Sequence, residues 1–217
     1  MRPLAIVGGT GPEGIGLALR FAAAGQEVLV GSRDAARAEA AAARVAQTVP
    51  GARVASGTNH EVVSRTDRIV LALPFAGLVP FLDSAPDGLA GKLLIDVVVP
   101  LAVRAGFFEI APIPGAPSAG ELIQRRLPGA RVVSAFKNLS AAKLGDLGAS
   151  LAGDVVLCGE DPGARAEVAA LVGLLPGLRA VDAGGIANAR WLEAITALLL
   201  NLNRRHGTIT SIAILGV

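Results

Sequence analysis

A glycine loop between a strand and a helix limits this chain more than any other feature. The stretch AIVGGTGPEGIG, Ala5 to Gly16, sets Gly9, Gly11 and Gly14 in the pattern G-x-G-x-x-G, after a short apolar run and at the start of a helix-forming stretch. The spacing has a physical purpose. It supplies a tight turn, lets the backbone approach a pyrophosphate closely, and points the first amides and the dipole of a helix at negative charge. Gly9, Thr10, Gly11, Pro12, Glu13 and Gly14 are therefore expected to cradle a dinucleotide, with the Thr10 hydroxyl near a phosphate oxygen. A glycine-rich turn without a ligand is the competing reading; the fitting strand, helix and second strand around the loop speak against it.

The remainder of the chain supports the fold that this loop requires. Apolar runs of strand length begin at Pro3, Glu27, Arg53, Arg68, Lys92 and Arg131, and alanine-rich helical stretches lie between them, at Gly14 to Ala24, Ala35 to Gln47 and Phe75 to Ser84. Strand–helix alternation with nearly continuous apolar strands predicts an α/β chain: a Rossmann-type, doubly wound, mostly parallel sheet buried on both faces. After residue 140 the pattern continues with DVVLCG, a helix near Pro162 to Leu175, LRAVDAGG, and a longer helix from about Ala187 to Arg204. The expected division is a core over 1–183 and a C-terminal helical segment over 184–217. The stretch from Pro100 to Ser118 reads as one long irregular loop, of the kind that is usually functional.

At the end of the second strand, VLVGSRDAARAE places Ser32 and Arg33 where an acid often stands, with Arg37 one helical turn further on. An acid there accepts hydrogen bonds from the ribose of NAD and repels the additional phosphate of NADP. A hydroxyl and two guanidinium groups favour that phosphate instead, so NADP(H) is the expected nucleotide. Asp34, twenty positions beyond Gly14, is better read as the N-cap of the second helix. A solvated helix charge is the bland alternative for Arg37.

Ligands of open α/β sheets bind at the carboxyl ends of the strands. Leu73, Pro74 and Phe75 after the fourth strand, Val99 and Pro100 after the fifth, and Phe136 and Leu139 after the sixth are the residues expected there. This lining is apolar and contains no evident hydrolytic triad, HExxH or CxxC, so no metal is expected. Hydride transfer suits it, because that chemistry needs alignment and exclusion of water more than a resident acid or base. A formal charge of +2 with 3% aromatic residues argues against nucleic acid. The single cysteine, Cys158, excludes an internal disulfide and fits a reducing, cytoplasmic location. The apolar N-terminal run is too short for a signal peptide, and AITALLLNLN is shorter than the roughly 20 residues of a membrane span.

Three segments, GGTGPEGIGLALRFAAAGQEVLVGSR, RVVSAFKNLSAAKL and DAGGIANARWLEAITALLLNLN, resemble the NADPH-dependent coenzyme F420 reductases, in order and over nearly the whole chain. The resemblance implies hydride transfer between the nicotinamide of NADP(H) and the deazaflavin of coenzyme F420, with the two rings stacked at the carboxyl edge, in a homodimer. It implies phosphate contacts at Thr10, Ser32 and Arg33. It places Lys137, where the family frequently has a histidine, and Asn138 beside the deazaflavin, and links Arg190 and Thr196 to the active site. By chemistry alone Lys137 is either a charge favouring the reduced deazaflavin or a surface lysine, and Arg190 is equally an ion-pair partner. Arg104, Arg125 and Arg126 are candidates for the coenzyme's phosphate and glutamyl tail. Two other functions stay open: an NADPH reductase of a flavin, imine or metal chelate, and a non-catalytic NADP sensor.

Overall fold

The structure is a computed structural model that describes residues 2–84 and 87–217. Strands β1 (Leu4–Val7), β2 (Val28–Ser32), β3 (Val54–Thr58), β4 (Arg68–Leu71), β5 (Leu93–Asp96) and β8 (Arg131–Ser134) run parallel in the order β3-β2-β1-β4-β5-β8. This is the 3-2-1-4-5-6 order of the Rossmann fold. Two further strands, β9 (Gly153–Gly159) and β10 (Leu178–Asp182), extend the sheet beyond β8. β9 is antiparallel to β8, and β10 is parallel to β9, so the sheet is mostly parallel.

The central strands β1, β2, β4, β5 and β8 bury both of their faces, whereas β3 and β10 at the sheet's edges are only partly covered. Leu4 and Ile6 point into one apolar layer with helices α1 (Pro12–Ala23), α6 (Ala141–Gly145) and α7 (Pro162–Val172). Ala5 and Val7 point into the other, with α3 (Asn59–Ser64), α4 (Phe75–Ser84), α5 (Ala119–Arg126) and the start of α8 (Ala189–His206). Alternate residues thus serve opposite layers, the reason these strands read as unbroken apolar runs.

Helix starts are specified locally. Asp34 caps α2 (Ala35–Thr48) by accepting from the amides of Ala36 and Arg37 at 2.9 and 3.3 Å, as expected. Thr58 and Glu61 close a capping box on α3, while Ser118, Ser140 and Asp161 cap α5, α6 and α7. At its far end α8 closes at His206, and Gly207, left-handed at φ 61°, ends the helix one residue later.

Residues 100–118 differ from the expected irregular loop. β6 (Leu101–Arg104) and β7 (Phe107–Ile110) form an antiparallel hairpin that packs against α8. Its turn residues, Ala105 and Gly106, have φ of 48° and 81°, the two positive values that a type I′ turn requires. Alanine is an unusual occupant of that position, so the dipeptide does not announce a hairpin. The compensation is tertiary: Asn201 on α8 accepts from the Phe108 amide at 2.9 Å and donates to its carbonyl at 2.8 Å.

The glycine helix α1 lies directly on α6. A Cβ built on Gly16 would stand 2.6 Å from the Cβ of Leu144 and 3.1 Å from the amide nitrogen of Gly145. Gly16→Ala should lower stability by about 1–3 kcal/mol through overpacking. The check is the urea midpoint at unchanged slope; an unmoved midpoint would contradict this packing.

Candidate functional site

The glycine loop is shaped by contacts at three of its residues. Gly8 has φ 75° and donates its amide to Oδ1 of Asn59 at 3.2 Å. Gly9 donates to the carbonyl of Gly31 at 2.8 Å, and a Cβ there would meet Ile6 O and Val30 Cγ1 at 2.9 Å. On Gly14 a Cβ would lie 2.7 Å from Gly8 O. Gly11 is different: its nearest protein neighbour would be 3.6 Å away, so the fold itself leaves room there for a side chain. A close-approaching ligand explains that glycine, and α1 above it begins with no side-chain cap on its first amides. The loop therefore fits a pyrophosphate.

On the β2 side of the loop lies a cavity of about 370 Å³ bordered by Thr10, Gly11, Ser32, Arg33, Arg37 and Pro74. Among the described residues no hydrogen bond or ion pair engages the guanidinium of Arg33 or Arg37, and both residues are exposed. Asp34 has its carboxylate turned to the α2 amides, and Ser32 Oγ accepts from the Asp34 amide at 3.2 Å. Two cations and a hydroxyl face the cavity while the nearby acid is engaged, an arrangement suited to a phosphate monoester. An adjoining cavity of about 570 Å³ is walled by Leu73, Pro74, Pro80, Phe81 and His60. His60 sits at the start of α3, with its ring 6.2 Å from that of Phe81.

On the β5 and β8 side, a third cavity of about 430 Å³ is lined by Val99, Leu101, Leu139, Thr196, Leu199 and Glu13, among others. Helix α8 forms its far wall. Thr196 Oγ1 donates to the Lys137 carbonyl at 2.9 Å and so ties that helix to the turn after β8. Phe136 begins this turn in a left-handed conformation, φ 58°, a strained state for an aromatic residue. Its ring packs edge-on against Phe21, 5.9 Å between centroids, and is fully buried.

This turn drives Lys137 into the interior. The side chain is 1% exposed, and the ammonium lies 2.7 Å from Asp96 Oδ2 and 3.2 Å from Glu193 Oε1, and donates to the Val98 carbonyl. Neither sequence-based reading of Lys137, a charge presented to a deazaflavin or a surface lysine, describes this geometry. Ser134 and the Val98 amide complete the shell of Asp96, and the Ala119 amide donates to Glu193. Glu193 Oε2 is buried without a partner among the described residues, and burial pushes the carboxyl up to about 7 against the pull of Lys137.

The other expected residues divide. Leu73, Pro74, Val99 and Leu139 line the cavities, whereas Phe75, Pro100 and Phe136 line none of these three. Phe75 packs on the core, and Pro100 is buried with its carbonyl bound to Ala111. Asn138 borders the third cavity, yet its amide donates to the Asp154 carbonyl at 2.7 Å. Arg190 also lines none of the three; it donates to the Ala187 carbonyl and pairs with Glu121 at 3.5 Å. Arg125 and Arg126 end a crossover helix, which places them toward the amino edge of the sheet, bound to the Gly115 carbonyl and Asp83. Arg104 pairs with Glu109 in the hairpin.

Glu13 reaches further than a cradle residue. It stands at the second position of α1, where the dipole favours a carboxylate, yet Oε1 is buried without a partner among the described residues. Desolvation prevails and pushes its carboxyl up to about 8. Asn59 was not anticipated from the sequence. Its signal was faint: an amide at the first position of a helix following the third strand.

Residues 3–100 match the family model described as NADP oxidoreductase, coenzyme F420-dependent. The F420-dependent NADP reductases of Methanothermobacter thermautotrophicus and Methanothermobacter marburgensis are each 38% identical to the chain over 208 residues, covering 94% of it and 90% and 93% of theirs. The chain belongs to this family. A solved structure described as a putative F420-dependent NADP reductase from Arthrobacter sp. FB24 superposes over 100% of both chains, with a TM-score of 0.83 and 29% identity. The likeness to that structure extends over the full chain, beyond residues 3–100.

Substituting Lys137 by methionine leaves Asp96 and Glu193 buried without their cation, at an expected cost of about 3–5 kcal/mol near pH 8. The cost should shrink toward pH 5. A raised carboxyl pKa makes Glu193 most favourable to folding below its ordinary value of 4.5 and loses that contribution as pH rises through about 7. Urea melts at the two pH values test this; a loss below about 1 kcal/mol at pH 8 would disprove the cluster.

Proposed function

We propose that this protein transfers a hydride between NADP(H) and the deazaflavin coenzyme F420. The observation that carries the proposal is the pair of unlike cavities flanking one glycine loop. A cationic corner with its acid engaged lies on one side, and a largely apolar chamber closed by α8 lies on the other. The names of the curated relatives support the same pair of substrates.

NADP(H) supplies the hydride-carrying nicotinamide. The chain's own part is placement. The first amides of α1 hold the pyrophosphate, Thr10 adds a hydroxyl, and Ser32, Arg33 and Arg37 hold the 2′-phosphate. The larger cavity beside Arg33 receives the adenine. Val99, Leu139 and the α8 residues exclude water from the chamber where two flat rings meet. Lys137, Asp96 and Glu193 are positioning residues that hold the turn after β8 against α8, and Thr196 fastens the same turn from its carbonyl.

Residues 184–217 complete the chamber and supply a homodimer interface in this proposal. Trp191 and Leu198 on α8 and Val103 and Phe107 on the hairpin are large, apolar and more than half exposed, which supports an isologous contact. Among the described residues no helix is long and apolar enough to cross a membrane.

Anaerobic absorbance of oxidised coenzyme F420 with NADPH should show bleaching, with little from NADH and none with a flavin in place of the deazaflavin. NADPH binding without bleaching would shift the acceptor to another class, or the protein to a sensor. Arg33→Glu should weaken NADPH by on the order of 10–100-fold, the loss of one or two charge-assisted hydrogen bonds, and NADH far less. Equal losses by fluorescence titration would refute the 2′-phosphate assignment.

A further inference from the structure

Glu13 is the one acid in the glycine loop, and the cavity that its side chain lines is the chamber on the β5 and β8 side, not the cationic corner. With pyrophosphate at the start of α1 and the 2′-phosphate at Arg33, a dinucleotide crossing the loop carries its nicotinamide into this chamber. We propose that Glu13 is a proton-carrying residue of the reaction: neutral beside dihydronicotinamide, it gives its proton to the acceptor as the nicotinamide becomes cationic, and its carboxylate then becomes that ring's counter-ion. The proposal rests on the hydride-transfer function above.

The balance is simple. The C4–H bond of dihydronicotinamide breaks, and the hydrogen moves with its electron pair to a ring carbon of the oxidised deazaflavin. The O–H bond of Glu13 breaks, and its proton goes to a ring nitrogen of the same acceptor. One dihydronicotinamide is oxidised, one deazaflavin is reduced, and Glu13 recovers its proton from water. In the opposite direction the Glu13 carboxylate takes up the proton.

The surroundings favour this role. Oε1 is shut away from solvent with no donor to satisfy it among the described residues, and burial alone holds the acid neutral up to about pH 8. Among the described residues no neighbouring charge is engaged with it. Lys137, the other ionisable residue on the cavity wall, turns its ammonium to Asp96 and Glu193. Arg20, on α1 itself, donates to carbonyls of Lys143, Leu144, Asp146 and Ala149. On the elements packed against α1, Lys143 and Asp146 belong to α6 and its cap, and Arg37, Glu39 and Arg44 to α2; none is bonded to Glu13. A cationic ring arriving in the chamber is then the charge that lowers this acid's pKa.

Binding tests the proposal without turnover. The ratio of NADP⁺ to NADPH affinity, measured by fluorescence from pH 6.5 to 9, should rise about tenfold in the wild type, the effect of a one-unit pKa shift, and stay flat in Glu13→Gln. The 2′-phosphate is common to both ligands and cancels. In single-turnover bleaching of coenzyme F420 by NADPH, the wild-type rate should fall as pH passes about 8. Glu13→Gln should be on the order of 10²-fold slower with no such inflection, while Glu13→Asp regains part of the rate. A flat wild-type ratio, or a Gln variant that keeps both the slope and the rate, overturns the proposal. A wild type that shows the sloping ratio but bleaches no deazaflavin overturns the assigned acceptor and supports the pairing of Glu13 with the nicotinamide.

Discussion

Two carboxylates buried around a single ammonium hold together the half of this molecule that carries β5, β8 and α8. Asp96 ends β5, Lys137 follows β8 and Glu193 lies on α8, so one ion cluster joins two neighbouring strand ends to the C-terminal helix. Such a cluster adds little to stability compared with an apolar replacement of the same shape, because desolvation offsets most of the attraction. Its effect is geometric. An ammonium with three acceptors in fixed positions tolerates only one placement of α8, and a slide of that helix leaves a buried charge unpaired.

The consequences spread outward from that point. With α8 seated, Thr196 meets the Lys137 carbonyl, Asn201 receives both backbone groups of Phe108, and the hairpin gains the support that its Ala–Gly turn lacks. The strained backbone of Phe136 belongs to the same arrangement: an extended residue there would carry Lys137 past the sheet edge instead of into it. The nucleotide half is built differently. Its geometry comes from near contacts of the backbone, as at Gly9 and Gly14, and its charge from Arg33 and Arg37, whose guanidinium groups have no partner among the described residues. One half is held by a buried ion cluster, and the other leaves its two arginines exposed and unpaired among the described residues.

Legibility in the sequence follows this division. The glycine loop, the parallel strands and the Asp34 cap were readable because each depends on neighbours within a few residues, or on an apolar run buried on both faces. Ser32, Arg33 and Arg37 were readable for the same reason: a strand end and the helix after it determine where they point. Lys137 was not. Its two partners are 41 and 56 residues away, and nothing in AFKNLS marks the lysine as interior. The hairpin was missed because its turn contradicts local preference and its stabilising contact comes from α8, more than 90 residues later. Arg125 and Arg126 were drawn toward a ligand by charge alone, whereas the direction of a crossover helix carries them to the opposite edge.

By itself, then, the sequence determined the class of sheet, the strand–loop–helix cradle and the preference for an additional phosphate, because these arise from periodicity, glycine stereochemistry and short-range capping. Only the tertiary structure decided which charges are exposed and which are buried. It turned Lys137 inward, enclosed Glu193, and left Glu13 at the chamber wall with no partner for its inner oxygen among the described residues. The physical reason is desolvation: the properties of an ionisable side chain depend on what the whole fold brings around it, and no local pattern of residues contains that information.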